Sequence, residues 1–270
     1  MSRGVTLGPY DRGMSALPPS FSERLNRARA DISALASTTP ERHVRPLREA
    51  IELAAGGRED ADSLLDAVEA FVALLTRAQT QLSGVERSIR EDLERAVTLS
   101  ALRTSAQLAS AADVATACSA ARSLLLDADE ARSAGARHDP AALLVLLLEA
   151  DAALDRVVAG YREPRAQAAR QLLLLEAART AAHLGAGAVE LLTAVHGERV
   201  TPAPRILAEE TIAQLESAAH RAATQPAVAL DQARAAADRA QSALDEALVD
   251  LDGPTAPPAP ATLPSSAPGA

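Results

Sequence analysis

The chain has 270 residues, of which 48% are apolar and only 1% aromatic, and its formal net charge is −9. All of its basic side chains other than histidine are arginines, and it contains no Trp. This acidic balance argues against a nucleic-acid-binding surface, which needs a basic face and aromatic side chains that stack on bases. Because Cys118 is the one cysteine, an internal disulfide is excluded, and we expect this thiol to pack as a small hydrophobe.

The abundance of Ala, Leu, Arg and Glu favours helix along most of the chain, because these are the strongest helix formers. A core built from Ala and Leu gains little stabilisation per residue, since a buried Ala contributes far less than the roughly 1.5–3 kcal/mol of a buried Leu. Stability must therefore accumulate along extended contacts. We predict an all-α fold, an extended array of long antiparallel helical hairpins or a coiled-coil bundle with disordered termini.

Composition divides the chain into three parts. Residues 1–19 and 253–270 are rich in Gly and Pro and are predicted to be disordered. Residues 20–252 form the predicted helical region, with a possible sub-boundary near 135–139.

The first hairpin is predicted over residues 20–56. Ser20 and Glu23 have the spacing of a capping box and open a helix that continues to about Ala36. Thr39-Pro40 reads as the N-cap and first position of a second helix, which ends at Ala55 before two glycines.

A heptad pattern follows from Glu59 onward, with apolar residues at alternating spacings of four and three. Gly84 lies within this pattern without shifting its phase, so we predict one long helix or two nearly collinear helices. A third long segment runs from about Ala111 to Ser133. The pattern residues are Leu64, Val68, Phe71, Leu75, Ala78, Leu82, Val85, Ile89, Leu93 and Ala96.

Proline marks most of the later helix starts. Asp139-Pro140 opens a helix through Val157, and Pro164 kinks that helix or starts the next, which extends to about His196. Thr201-Pro202 starts a helix that ends near Ala223. The last helix begins around Pro226, and its Ala-rich pattern predicts a close antiparallel pair with the helix before it.

No residue pattern predicts catalysis, cofactor binding or metal binding. We interpret the five histidines as surface or capping residues, with His196 at a helix C-terminus. The acidic residues of Glu209-Glu210 and of the segment from Asp60 to Asp66 are expected to diverge on their helices. Gly185-Ala186-Gly187 lies in a helical pattern and is not a phosphate loop. The histidines are His43, His138, His183, His196 and His220.

Two apolar runs, Leu143–Leu148 and Leu172–Leu175, are apolar on more than one helical face. Packing between neighbouring helices of the same chain explains such runs, and a partner helix or self-association is the alternative. The longest apolar stretch, Ala141–Leu148, is far shorter than the roughly 20 residues that span a bilayer.

Three segments resemble the long helical C-terminal region of actinobacterial TPM-domain proteins: Leu64–Val68, Leu148–Asp155 and Ala235–Ala240. In that family a metal-binding TPM domain and a membrane span precede the helical region. The resemblance extends from about Ser20 to Asp252 and implies architecture rather than catalytic residues. Because the sequence lacks the TPM domain, the span and a secretory signal, we expect a standalone relative or a truncated product.

These observations favour a non-enzymatic cytoplasmic scaffold that uses Leu/Ala helix faces to self-associate or to bind a protein partner. The alternatives are a peripheral membrane-surface coiled-coil protein of the phage-shock type and a truncated piece of a TPM-domain membrane protein. The acidic balance opposes direct binding to anionic lipid, so a membrane link is expected to be indirect. We expect no cofactor and no nucleic acid.

Overall fold

A computed structural model describes residues 20–101, 111–133 and 137–252 of the chain. These residues form eight α-helices and two short 3-10 turns, and no strand occurs among them, so the prediction of an all-α fold is confirmed. The predicted disordered termini and residues 135–136 of the possible sub-boundary lie outside the described residues. The helices are α1 (Phe21–Leu35), α2 (Glu41–Ala55), α3 (Ala61–Ala101), α4 (Ala111–Ser133), α5 (Pro140–Val158), α6 (Pro164–His196), α7 (Pro202–Arg221) and α8 (Pro226–Asp252).

The helix starts follow the capping chemistry of the sequence. The Ser20 hydroxyl accepts a hydrogen bond from the Glu23 amide, and the Glu23 carboxylate accepts one from the Ser20 amide, which completes the predicted capping box. Asp139 caps α5 by accepting from the amides of Ala141 and Ala142 at 2.9 and 3.1 Å. Because an uncapped helix start leaves backbone donors unsatisfied, these contacts fix where α1 and α5 begin.

One predicted helix start is wrong by a residue. The cap of α2 is Pro40 rather than Thr39, and Thr39 is buried in the turn before the helix. The α2 helix also contains Pro46, which the sequence pattern did not flag.

The helix α3 is a single helix of 41 residues that passes through Gly84, which decides between the two predicted alternatives. Nine of the ten heptad residues are buried, and Leu93 is partly buried. A long interface of this kind is the expected way for small side chains to accumulate stability.

The hairpins are formed by helices that follow one another in the chain and run in opposite directions. Between α3 and α4, Glu86 pairs with Arg132 at 2.7 Å and Arg90 pairs with Asp129 at 3.3 Å, so the numbering rises in one helix as it falls in the other. Between α7 and α8, the Thr201 amide donates to Asp250 and the Gln214 side chain donates to the carbonyl of Gln232, so these helices are antiparallel as well. The predicted antiparallel hairpins are therefore present.

The helix α6 lies at the centre of the bundle, in contact with α2, α3, α5, α7 and α8. The last helix, α8, packs on α7 as predicted and also along α6. Gly185 permits the second contact, because a Cβ at this position would lie 2.7 Å from the backbone of Ala240. Gly187 similarly makes room for the ring of Phe71 on α3.

The two apolar runs are buried to different extents. All residues from Leu143 to Leu148 are buried or partly buried between neighbouring helices. In the second run Leu174 and Leu175 are buried, but Leu172 is 58% exposed. Intrachain packing therefore accounts for the first run completely and for the second only in part.

Candidate functional site

Six charged side chains from different parts of the chain meet inside the bundle, and we call them the charge cluster. The members are Asp92 of α3, Asp151 and Asp155 of α5, Arg162 of the α5–α6 connection, Arg170 of α6 and Arg234 of α8. Charged side chains are seldom buried unless paired, so a group of this size is the most unusual feature of the core.

Asp92 is the centre of the charge cluster, and its side chain is 2% exposed. One carboxylate oxygen accepts from Arg162 Nε at 3.1 Å and from Arg95 Nη1 at 2.9 Å. The other accepts from Arg162 Nη2 at 2.5 Å and from Arg170 Nε at 2.6 Å. Four donors thus compensate the loss of hydration that burial imposes on this carboxylate.

Asp151 is completely buried and forms ion pairs with Arg170 and Arg234. Its Oδ1 atom and both Nη atoms of Arg170 have no hydrogen-bond partner, so the contact with Arg170 is ionic without a well-directed hydrogen bond. Burial raises the pKa of Asp151 to about 6, and the two arginines oppose this effect. Burial likewise lowers the pKa of Arg170, opposed by Asp151 and Asp92.

Arg162 joins the charge cluster to the end of α5. Its Nη1 atom donates to Asp155 at 2.5 Å and to Gln167 at 2.6 Å. Burial alone would lower the pKa of Arg162, but the hydrogen bonds to Asp92 and Asp155 outweigh it and raise the pKa. The guanidinium is therefore held in its charged form between two helices.

This arrangement is suited to fixing helix positions. Its acids and bases pair with one another. None of its members lines the groove between α1 and α3 or the crevice over α6, which are described below. A buried ion pair contributes little net stability compared with apolar packing, but a helix that slipped would leave charges buried and unpaired. The charge cluster therefore sets the register of α3, α5, α6 and α8.

A second polar group lies at the opposite end of α5. The imidazole of His43 is completely buried, and its Nε2 atom lies 2.9 Å from Asp139 Oδ2. Arg42 pairs with the same carboxylate. Burial raises the pKa of Asp139, but the hydrogen bond with His43, the charge of Arg42 and the α5 amides together hold it far below its usual range. The prediction of a surface or capping histidine is therefore wrong for His43.

The other predicted residues do not form a reaction site. His196 ends α6 as expected and lies 3.1 Å from Glu49, and Glu209-Glu210 is exposed on α7. Asp62 and Asp66 do converge, contrary to expectation, but on Arg24 of α1. Cys118 is buried in α4 as predicted, and burial raises the pKa of its thiol.

Sequence reasoning missed the charge cluster, although a signal was present. Asp92 follows Ile89 by three positions and precedes Ala96 by four, so it occupies the buried stripe of α3. Asp151 follows Leu147 by four positions and precedes Leu154 by three, so it occupies the buried stripe of α5. A charged residue in an apolar stripe requires a partner of opposite charge elsewhere in the core.

An open groove of about 730 Å³ separates α1 from α3. Its apolar lining comes from Ala28, Leu35 and Val72, and Arg27 and Asp31 stand among its polar residues. The two helices run in the same direction, since Arg24 pairs with Glu69 and Thr38 accepts from Gln79. We call this surface the α1–α3 groove.

In the described ranges, no group of three or more His, Cys, Asp or Glu side chains is placed to hold a metal ion. No helix among these residues is long and apolar enough to cross a membrane. Comparisons with protein-family models, with curated proteins and with solved structures find no match to this chain. The resemblance to TPM-domain proteins therefore stays a prediction from the sequence.

Proposed function

We propose that this protein is a non-enzymatic interaction protein, a helical scaffold whose α1–α3 groove receives an amphipathic helix of a protein partner. The observation that carries the proposal is the groove itself, an apolar channel between two helices with charged residues along it. Helix-in-groove recognition uses this combination of an apolar floor and polar edges.

The dimensions of the α1–α3 groove favour a helix as its occupant. Its lining residues on α1 extend from Arg24 to Leu35, which corresponds to about 17 Å of helix. Small side chains such as Ala34 and Ala73 line it as well, and small residues allow a third helix to approach closely.

The charges along the groove support a partner with side chains of both signs. Arg27 and Asp31 form no hydrogen bond or close ion pair within the described part of the chain, and they stand four positions apart on α1. A docked helix with an acid and a base in matching positions would pair with both. Such pairs at the edge of an interface select the partner and its orientation more than they add affinity.

A cytoplasmic location and an indirect link to the membrane belong to the same proposal. The sequence resemblance suggests a membrane protein with a TPM domain as one class of partner, and a partner of that class would bring the scaffold to the membrane. The net charge of −9 disfavours direct adsorption to anionic lipid.

The test is co-purification from the native host with soluble and membrane fractions kept apart. The wild-type chain is compared with Ala73→Arg, which places a long cation in the groove, and with Ser119→Arg on the exposed face of α4. Both sites are exposed, so neither change should unfold the bundle. We expect one reproducible partner with the wild type and Ser119→Arg, and its loss with Ala73→Arg.

Two results would contradict the proposal. In one, the partner is retained equally by all three proteins, which would place its binding surface elsewhere. In the other, the wild type is recovered alone and is a monomer in solution, which would leave no interaction to explain. A crosslinker at position 73 that captures a second copy of this chain would replace the partner helix by self-association.

A further inference from the structure

A second groove lies on the other side of α3, with α6 as its floor and with α3 and α7 as its walls. It encloses about 340 Å³, and we call it the α6 crevice. His183, Gly187 and Glu190 lie along its floor, because these positions share one face of α6. This volume falls in the range of small-molecule sites, which begins at roughly 300 Å³.

The walls of the α6 crevice are apolar. Leu64 and Phe71 of α3 are almost completely buried there, and Ile212 of α7 is partly buried. Gly187 has no side chain to fill the space opposite Phe71, where a Cβ would lie 3.3 Å from the ring. An apolar ligand body of modest size would therefore lie against α6 between two hydrocarbon surfaces.

Glu190 is the unpaired charge of the α6 crevice. Its carboxylate forms no hydrogen bond or ion pair within the described residues, whereas Asp60 at the end of the crevice is held by two 2.9 Å hydrogen bonds from Arg58. Glu190 is exposed at the mouth, yet enough of it lies among apolar neighbours that burial raises its pKa. A carboxylate in such surroundings gains from a cation that replaces its lost hydration.

No basic side chain in the described part of the chain is paired with Glu190. His183 is the basic residue of the α6 crevice, and burial followed by the charges of Arg179 and Arg77 lowers its pKa, so its imidazole is neutral at pH 7. Arg205 lines the adjoining crevice between α6 and α7, where its Nε atom donates to the carbonyl of Thr201 at 3.3 Å.

We propose that the α6 crevice binds a small organic cation, with an ammonium head group at Glu190 and an apolar body between α3 and α7. A single positive charge on the ligand would match the single unpaired carboxylate, and a hydrocarbon body would cover the apolar walls. An anionic ligand of the same shape would meet Glu190 and Asp60 and be repelled. This site does not depend on the α1–α3 groove.

The test is titration of the full chain at pH 7 with octylammonium below its micelle concentration, followed by calorimetry or by NMR of the Leu and Ile methyl groups. Octanoate and octanol serve as anionic and neutral ligands of similar length. We expect saturable binding of the cation with a Kd of about 1 mM or lower, the range of so small a ligand. Octanol should bind more weakly, and octanoate should not bind detectably.

Glu190→Gln keeps the size of the side chain and should weaken cation binding by about tenfold or more, as the loss of a charge-assisted contact predicts. Glu209→Gln is the matched control, because Glu209 is exposed and lines only the adjoining crevice. Ala67→Phe, at an exposed lining position, should abolish binding by filling the α6 crevice. Far-UV circular dichroism confirms that each variant is folded.

The proposal is overturned if the cation and octanoate bind equally well, if Glu190→Gln binds the cation as the wild type does, or if no saturable binding occurs. The Ala73→Arg variant separates the two proposals. Loss of the protein partner with unchanged cation binding would support both sites, and loss of cation binding in that variant would contradict a separate α6 crevice site.

Discussion

Asp92 shows how one buried carboxylate can determine the surroundings of several basic side chains. It accepts hydrogen bonds from Arg162 and Arg170 in the core and from Arg95 at its edge. Each of these guanidinium groups is charged, so removal of the carboxylate would leave positive charge buried without compensation.

We therefore expect Asp92→Ala to lower the free energy of unfolding by about 3–5 kcal/mol, the cost of breaking a buried ion pair by deleting one partner. Asp129→Ala is the matched control, because Asp129 also pairs with two arginines, Arg90 and Arg132, but has a side chain that is 45% exposed. The control should lose less than about 1 kcal/mol. Urea unfolding at pH 7 measures both values, and equal losses would show that burial does not decide the energy of the pair.

The carboxylate of Asp139 makes a different contribution, because its pKa in the folded chain lies far below the usual value. A group with a lowered pKa stabilises the fold above its unfolded pKa of about 4, and this contribution is lost as the pH falls below that value.

Asp139→Asn keeps an oxygen for the α5 amides but removes the charge that faces His43 and Arg42. We expect it to cost about 2 kcal/mol at pH 7, a typical value for a hydrogen bond to a charged group. The difference from the wild type should shrink as the pH is lowered from 5 to about 3. Urea unfolding across this pH series is the measurement, and a difference that stays constant would assign the loss to packing rather than to charge.

At the scale of the helix, boundaries could be predicted where a local signal fixes them. Ser20, Asp139 and the prolines that begin α6 and α7 each act on the next few backbone amides, so the sequence nearby contains the information. Neighbours across the bundle are set by non-local packing. The contact of α8 with α6 and the burial of His43 could not be predicted, because no pattern in the adjacent residues indicates either of them.

The charge cluster could be predicted from the sequence only in part. The positions of Asp92 and Asp151 in apolar stripes were visible in the sequence, but their partner Arg170 lies 78 positions from Asp92, and the chain contains 27 arginines from which to choose. The sequence could therefore indicate that these carboxylates need partners, while the pairing itself required the fold.

The packing of α6 on α8 depends on a glycine whose role is steric. Gly185→Ala would place a methyl group 2.7 Å from the backbone of Ala240, so the two helices would have to separate. We expect a loss of about 1–3 kcal/mol, as for other overpacked core positions.

Gly84→Ala is the control for this prediction. It is also a glycine inside a long helix, but its nearest neighbour would be a Leu173 methyl group at 3.9 Å, which is ordinary contact. Because Ala is a better helix former than Gly, this variant should gain up to about 1 kcal/mol. Thermal unfolding of both variants should therefore give melting temperatures that move in opposite directions, and a loss in both would show that α3 needs Gly84 for another reason.

At the scale of the whole molecule, the central position of α6 opposes independent unfolding of the two halves. The helices α2 and α3 before residue 137 contact α5 and α6 after it, so any sub-boundary near 135–139 is crossed by buried contacts. The charge cluster adds a chain of ion pairs from α3 through α5 and α6 to α8. Removal of the ion pairs at α3 should therefore destabilise α8 as well.

We expect Asp92→Ala to accelerate amide hydrogen exchange in α8 as well as in α3, although Asp92 itself forms no ion pair with α8. The physical reason is that Arg170 connects Asp92 to Asp151, and Asp151 pairs with Arg234. Hydrogen exchange measured by mass spectrometry under native conditions reports each helix separately. Faster exchange confined to α3 and α4, with α8 unchanged, would mean that the bundle consists of two units that open independently and that the charge cluster fixes only local geometry.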